Sequence, residues 1–138
     1  MIKLPTGVDH EKLIDDLRIL SWEAYEILID YSQILKDSNN KSNILKNNDN
    51  NNPVTLADLK VNEIIIREIE QKYKNVNWLI LSEENVKLTP HNRNTNSDWL
   101  WVLDPLDGTK DFIQGTTNYA MHLALNYKQK PLIGIVLI

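Results

Sequence analysis

Two carboxylates stand three residues apart in Asp104-Pro105-Leu106-Asp107-Gly108-Thr109. Proline fixes its own φ and pushes the residue before it towards extended backbone. Such a segment can aim both carboxylates, and the carbonyl between them, at one point. An all-oxygen cluster of that kind suits a hard cation such as magnesium. Gly108 lets the backbone approach a ligand closely. Thr109 adds a hydroxyl, and the N–H groups that follow can cradle a phosphate if a helix begins there. The same hexapeptide is equally an ordinary Asp-Pro turn followed by a surface Asp-Gly. A second acidic pair, Glu83-Glu84, follows Leu81-Ser82, and Ser-Glu-Glu is also a common helix start. Asp58 offers a further carboxylate, or simply a helix cap. His10, His91 and His122 have no metal-ligand spacing, and the chain has no cysteine, so thiolate zinc sites, cysteine nucleophiles and disulfides are excluded. No nucleophile elbow, Walker loop or dinucleotide fingerprint is present.

Positioning these groups falls to the elements around them. Trp99-Leu-Trp-Val-Leu103 reads as a buried strand ending at Asp104, and Trp78-Leu-Ile-Leu81 as another ending before Glu83. Two strand ends bearing carboxylates imply a shared site at one edge of a sheet. Leu13, Leu17, Leu20, Ala24, Ile27, Tyr31 and Ile34 predict an amphipathic helix over 10–36 with Asp9 as its N-cap. A second helix is expected from Thr55 to about Tyr73, with Leu59, Ile65, Ile66, Ile69 and Tyr73 as its apolar stripe. Residues 118–127 and 131–138 read as a hairpin around Lys128-Gln129-Lys130. Segments 37–52 and 91–97 are polar loops. Trp78, Trp99 and Trp101 are expected in the core, whereas Trp22 lies in the first helix.

The 138 residues suffice for one domain, and their composition, 42% hydrophobic and 25% charged, is that of a globular chain. A net charge of -4 argues against a nucleic-acid surface. No apolar run approaches the roughly 20 residues of a membrane span, and the N-terminus lacks a signal-peptide core, so a cytoplasmic protein is expected. The apolar run Pro131–Ile138 stops without a turn or polar tail. That predicts a single domain over 1–138, truncated at its C-terminal side.

Taken in order, Pro53-Val-Thr-Leu-Ala-Asp58, Leu81-Ser-Glu-Glu84 and Trp101-Val-Leu-Asp-Pro-Leu-Asp-Gly-Thr-Lys-Asp-Phe112 resemble the inositol monophosphatase superfamily. Thr109-Lys110-Asp111-Phe112 is most similar to the CysQ-type 3'(2'),5'-bisphosphate nucleotidases. The resemblance implies an α+β fold: the N-terminal half of the layered αβαβα inositol monophosphatase/fructose-1,6-bisphosphatase-like architecture, two helices on a largely antiparallel sheet. It implies Mg2+ held by Glu83, Asp104, Asp107 and the Leu106 carbonyl. Asp58 and Thr109 would activate the attacking water, and Gly108 and Thr109 would bind the phosphate. Lys46 and Asp49 fall where the family has a mobile loop. The implied reaction removes the 3'-phosphate of 3'-phosphoadenosine 5'-phosphate, giving AMP, with inositol 1-phosphate as the alternative substrate. Family members are longer and carry a Trp-Asp motif that completes the site. This chain has none. The implied partners are therefore a small phosphorylated substrate together with a separate C-terminal half or a second copy, with no nucleic acid polymer and no membrane. A catalytically inactive binding fragment is the other class of reading.

Overall fold

The computed structural model describes residues 3–37, 56–84 and 97–138. The polar segments between these stretches, with Lys46, Asp49, Thr55 and His91, lie outside the described residues.

Helix α1 (His10–Lys36) opens where expected: the Asp9 carboxylate accepts the Lys12 N–H at 2.8 Å. Its buried face begins as expected with Leu13, Leu17, Leu20 and Ala24, then continues through Leu28, Ser32 and Leu35 rather than Ile27, Tyr31 and Ile34. The expected stripe advances about 3.5 residues per turn and drifts off the core-facing side of a straight helix, which turns every 3.6 or so. Ile27 and Tyr31 end half-buried and Ile34 exposed. Helix α2 (Leu56–Lys72) buries Ala57, Val61, Ile65 and Ile69, together with the polar Asp58 and Asn62. Leu59 and Ile66 are only half-buried, and Tyr73 packs into the core from the turn beyond the helix.

Four strands follow: β1 (Leu79–Ser82), β2 (Trp99–Asp107), β3 (Ala120–Tyr127) and β4 (Lys130–Leu137), with a short helix α3 (Thr109–Gln114) between β2 and β3. They form one sheet in the order β1-β2-β3-β4. Strand β1 runs parallel to β2, and the other two pairings are antiparallel. Strand β1 starts one residue later than expected and is half-buried rather than buried, as an edge strand should be. Strand β2 does not end at Asp104. It continues to Asp107 through a register shift between Asp104 and Asp107. Pro105, buried and without an N–H, sits in that irregularity, the kind of place where a sheet tolerates proline.

Alternation across the sheet defines its inner face. Trp101 lies beside Leu125 and Ile133, Leu103 beside Leu123 and Ile135, and Met121 beside Leu137. Trp101, Leu103, Leu123, Leu125 and Met121 are buried, joining the inward residues of α1 and α2 in one core. Trp78 is half-buried and stacks edge-on against both Tyr73 and Trp101. The hairpin turn is made by Lys128 and Gln129, both at positive φ (47° and 67°), as a type I′ turn needs.

Candidate active site

The parallel pairing of β1 with β2 brings the acidic residues together. Ser82 stands in register with Leu103, so Glu83 leaves β1 beside the point where Asp104 continues β2. The arrangement is felt electrostatically. Burial raises the Asp104 carboxyl above its ordinary value, and the charges of Glu83 and Asp107 raise it further. The Leu106 N–H and His122, which faces Asp104 across β3, only partly oppose this. Negative charge is thus concentrated at one sheet edge.

Past Asp104 the backbone folds onto itself. The Leu106 N–H donates to Asp104 Oδ1 at 3.2 Å, and the Thr109 hydroxyl donates to the Leu106 carbonyl at 3.1 Å. Gly108 adopts the left-handed conformation (φ 77°, ψ 36°) and caps α3, its carbonyl accepting the Phe112 N–H at 3.0 Å. A Cβ there would fall on the Asn118 carbonyl oxygen, with Tyr119 Cα at 3.2 Å. Phe112, buried and edge-on to Tyr119 at 4.8 Å, anchors α3 beneath the loop. At its other end, Gly115 at φ 80° and the Thr116 N–H close the helix onto Phe112 and Asp111 carbonyls.

Asp58 lies in the first turn of α2 and is 3% exposed. Glu83 is exposed and Glu84 buried. The motifs assign no role to Ser82 or Asn62. Ser82 is wholly buried, its hydroxyl donating to Asn62 Oδ1 and accepting the Glu84 N–H at 3.3 Å. Their only signal was that Asn62 follows Asp58 by one helical turn on an otherwise apolar stripe.

The donor chemistry fits a hard cation: three carboxylates and a carbonyl, with Asp104 destabilised by its acidic neighbours until positive charge arrives. Among the described residues no three acidic or histidine side chains already converge as a metal cluster.

The molecule is thus an α+β domain with acidic residues grouped where the parallel strands β1 and β2 run out. The chain belongs to the inositol monophosphatase family, whose pattern matches residues 9–137. It is 34% identical over 88 residues to the 3'(2'),5'-bisphosphate nucleotidase CysQ of Haemophilus influenzae, covering 64% of this chain and 32% of that protein. It is 36% identical over 88 residues to the chloroplastic bifunctional phosphatase IMPL2 of Arabidopsis thaliana, covering 64% and 24%. The fold matches inositol monophosphatase II of Staphylococcus aureus with a TM-score of 0.61 and 27% identity, over 91% of this chain and 41% of that one. The staphylococcal enzyme is also known bound to 2'-AMP. The chain therefore spans about a quarter to a third of the length of these curated relatives.

Proposed function

We propose that the chain supplies the N-terminal part of a magnesium-dependent phosphomonoesterase site that removes the 3'-phosphate of 3'-phosphoadenosine 5'-phosphate to leave AMP, in the cytoplasm and in the service of sulfate assimilation. The observation that supports this reading is that Glu83 and Asp107 both lie near enough to Asp104 for their charges to raise it, with the left-handed Gly108 following directly. The carboxylates of Glu83, Asp104 and Asp107 and the carbonyl of Leu106 would hold Mg2+. A bound magnesium ion supplies charge neutralisation at the phosphate and acidifies water for attack. The proposed partners are the phosphorylated substrate and a polypeptide completing the site, either a C-terminal half or a second copy.

The chain's own residues do the rest. Gly108, held left-handed against the Asn118–Tyr119 backbone, and Thr109 would offer their backbone to the phosphate. Thr109 orients the attacking water, and Asp58 takes up the proton. A hydroxyl has one proton, and that of Thr109 rests on the Leu106 carbonyl. Turning it towards Asp58 means rotation about the Thr109 Cβ–Oγ1 bond and loss of the hydrogen bond to Leu106. The nucleotide preference is supported by the likeness to CysQ and by 2'-AMP on the staphylococcal relative. Inositol 1-phosphate is the second reading, supported by the staphylococcal enzyme's own designation.

The test is phosphate release from 3'-phosphoadenosine 5'-phosphate and from inositol 1-phosphate, with and without Mg2+, beside Thr109→Ala. Turnover of the nucleotide that falls by roughly 100-fold or more in Thr109→Ala supports the proposal. Faster turnover of inositol phosphate overturns the substrate, and absence of turnover even with the completing polypeptide present, Mg2+ binding being intact, favours a binding role.

A further inference from the structure

The buried polar link between α2 and the end of β1 has no part in the chemistry described so far. Ser82 is the last residue of β1 and is wholly buried. Its hydroxyl spends its proton on Asn62 Oδ1 and a lone pair on the Glu84 N–H. One oxygen thus ties the helix to the backbone on the far side of Glu83. Glu84 is itself 2% exposed, so the residue after Glu83 is packed as firmly as the residue before it. Glu83 is held at both flanks while its own side chain reaches out. Asn62 lies one turn beyond Asp58, and both are buried on the same side of α2. The Ser82–Asn62 hydrogen bond therefore also fixes the depth of the Asp58 turn relative to the strand end.

We infer that Ser82 and Asn62 are positioning residues: their buried hydrogen bond holds the backbone of Glu83 beside the part of β2 that bears Asp104 and ties the α2 turn of Asp58 to it, which limits how far these oxygens must move to take a divalent cation. The inference rests on the metal reading above. A carboxylate next to a strand end can swing over several ångströms, and a ligand that must be ordered on binding weakens the site. Groups that orient metal ligands without touching the ion are worth roughly 10- to 100-fold in metal affinity. A merely structural hydrogen bond would change stability and leave affinity alone.

The experiment is calorimetric titration of Mg2+ into the folded chain, with thermal unfolding measured on the same samples. Ser82→Ala is expected to weaken Mg2+ binding by roughly tenfold or more. Asn62→Ala should weaken it in the same direction, and the double variant should be no worse than Ser82→Ala, since both changes remove one link. Leu13→Ala, a core change at the opposite end of α1 where it packs beside Ile69 and Tyr73, should lower the melting temperature without altering affinity. Asp107→Asn reports on the metal site itself. If Ser82→Ala and Asn62→Ala melt earlier yet bind Mg2+ like the parent, while Asp107→Asn loses binding, the positioning role is overturned and the metal reading stands. If Asp107→Asn also binds like the parent, the metal reading falls and takes the inference with it. Should Ser82→Ala not fold, Asn62→Ala decides alone, and parental affinity there overturns the inference.

Discussion

Gly108 is where backbone conformation and space are both spent on the site. Its φ of 77° costs an L-residue about 1–2 kcal/mol. An added Cβ would also meet the Asn118 carbonyl and Tyr119 backbone, neither of which is a flexible side-chain end. Gly108→Ala is expected to destabilise the fold by about 2 kcal/mol or more, read as a lower urea midpoint with unchanged m-value. In the sequence Gly108 is legible as a place of close approach, and the structure fills that space with the Asn118 and Tyr119 backbone; its left-handed conformation has no mark of its own. The path from Asp104 to Asp107 was not legible. The hexapeptide could be read as a turn, whereas the structure keeps it within β2 and absorbs Pro105 in a bulge. Ser82 and Asn62 carry no distinctive local pattern, because a hydrogen bond between residues 20 apart is set by packing alone.

Between the two long helices, a half-buried polar cluster does what the apolar stripes cannot. Tyr73 donates to Asp16 Oδ2 at 2.6 Å, Lys12 reaches the same oxygen at 2.6 Å, and Lys72 lies 3.4 Å from Oδ1. Burial pushes the Asp16 carboxyl up, but the hydrogen bonds from Lys12 and Tyr73 and the charges of Lys72 and Lys12 outweigh it, so it titrates below its ordinary value. The Tyr73 phenol is pushed up by burial and then by Asp16. A carboxyl depressed on folding contributes stability that is present above its unfolded value, about 3.9, and lost as pH falls through the folded one. A phenol raised on folding contributes stability that is present below about 10 and lost as pH rises through its folded value. Tyr73→Phe should therefore cost about 1 kcal/mol near neutral pH, with Lys12 and Lys72 still holding Asp16. Urea titrations should show that cost shrinking in strong acid, and again in strong base. A constant difference across the whole range would contradict the assignment. Neither helix announced this cluster. Amphipathic spacing located the helices, but the choice between the Ile27–Tyr31–Ile34 row and the Leu28–Ser32–Leu35 row depended on how α1 lies across its neighbours.

Across the whole molecule, coverage of the sheet falls from one side to the other. Trp101 and Leu125 are fully buried, but on β4 the inner residues Ile133, Ile135 and Leu137 are only half-buried. Between β4 and α1 lies a groove of about 550 Å³, lined by residues including Ile14, Trp22, Tyr25, Ile135 and Leu137. Trp22 is 67% exposed and meets Tyr25 edge-on at its rim. Strand β4 is an outer strand of the sheet, and Val136 on its open face is 59% exposed. Such edges promote strand-to-strand association. Val136→Lys is expected to raise the concentration at which the chain stays monomeric in light scattering, while moving stability by no more than about 0.5 kcal/mol. The order of helices and strands was readable from periodicity and turns. The parallel direction of β1 relative to β2 was not, because a half-buried four-residue strand carries no mark of its orientation.

The two-residue connection at Lys128-Gln129 has a consequence in time. Strands β3 and β4 can zip from a closed turn in microseconds, and Lys128 fastens that turn to the Asp98 carbonyl at 2.8 Å. Strands β1 and β2 must instead find one another across a long excursion, Leu79 meeting Leu100, and closing that loop carries an entropic penalty before any contact rewards it. The hairpin can thus exist before the strand pairing that brings Glu83 near Asp104, and pulsed hydrogen exchange during refolding is expected to protect β3 and β4 ahead of β1.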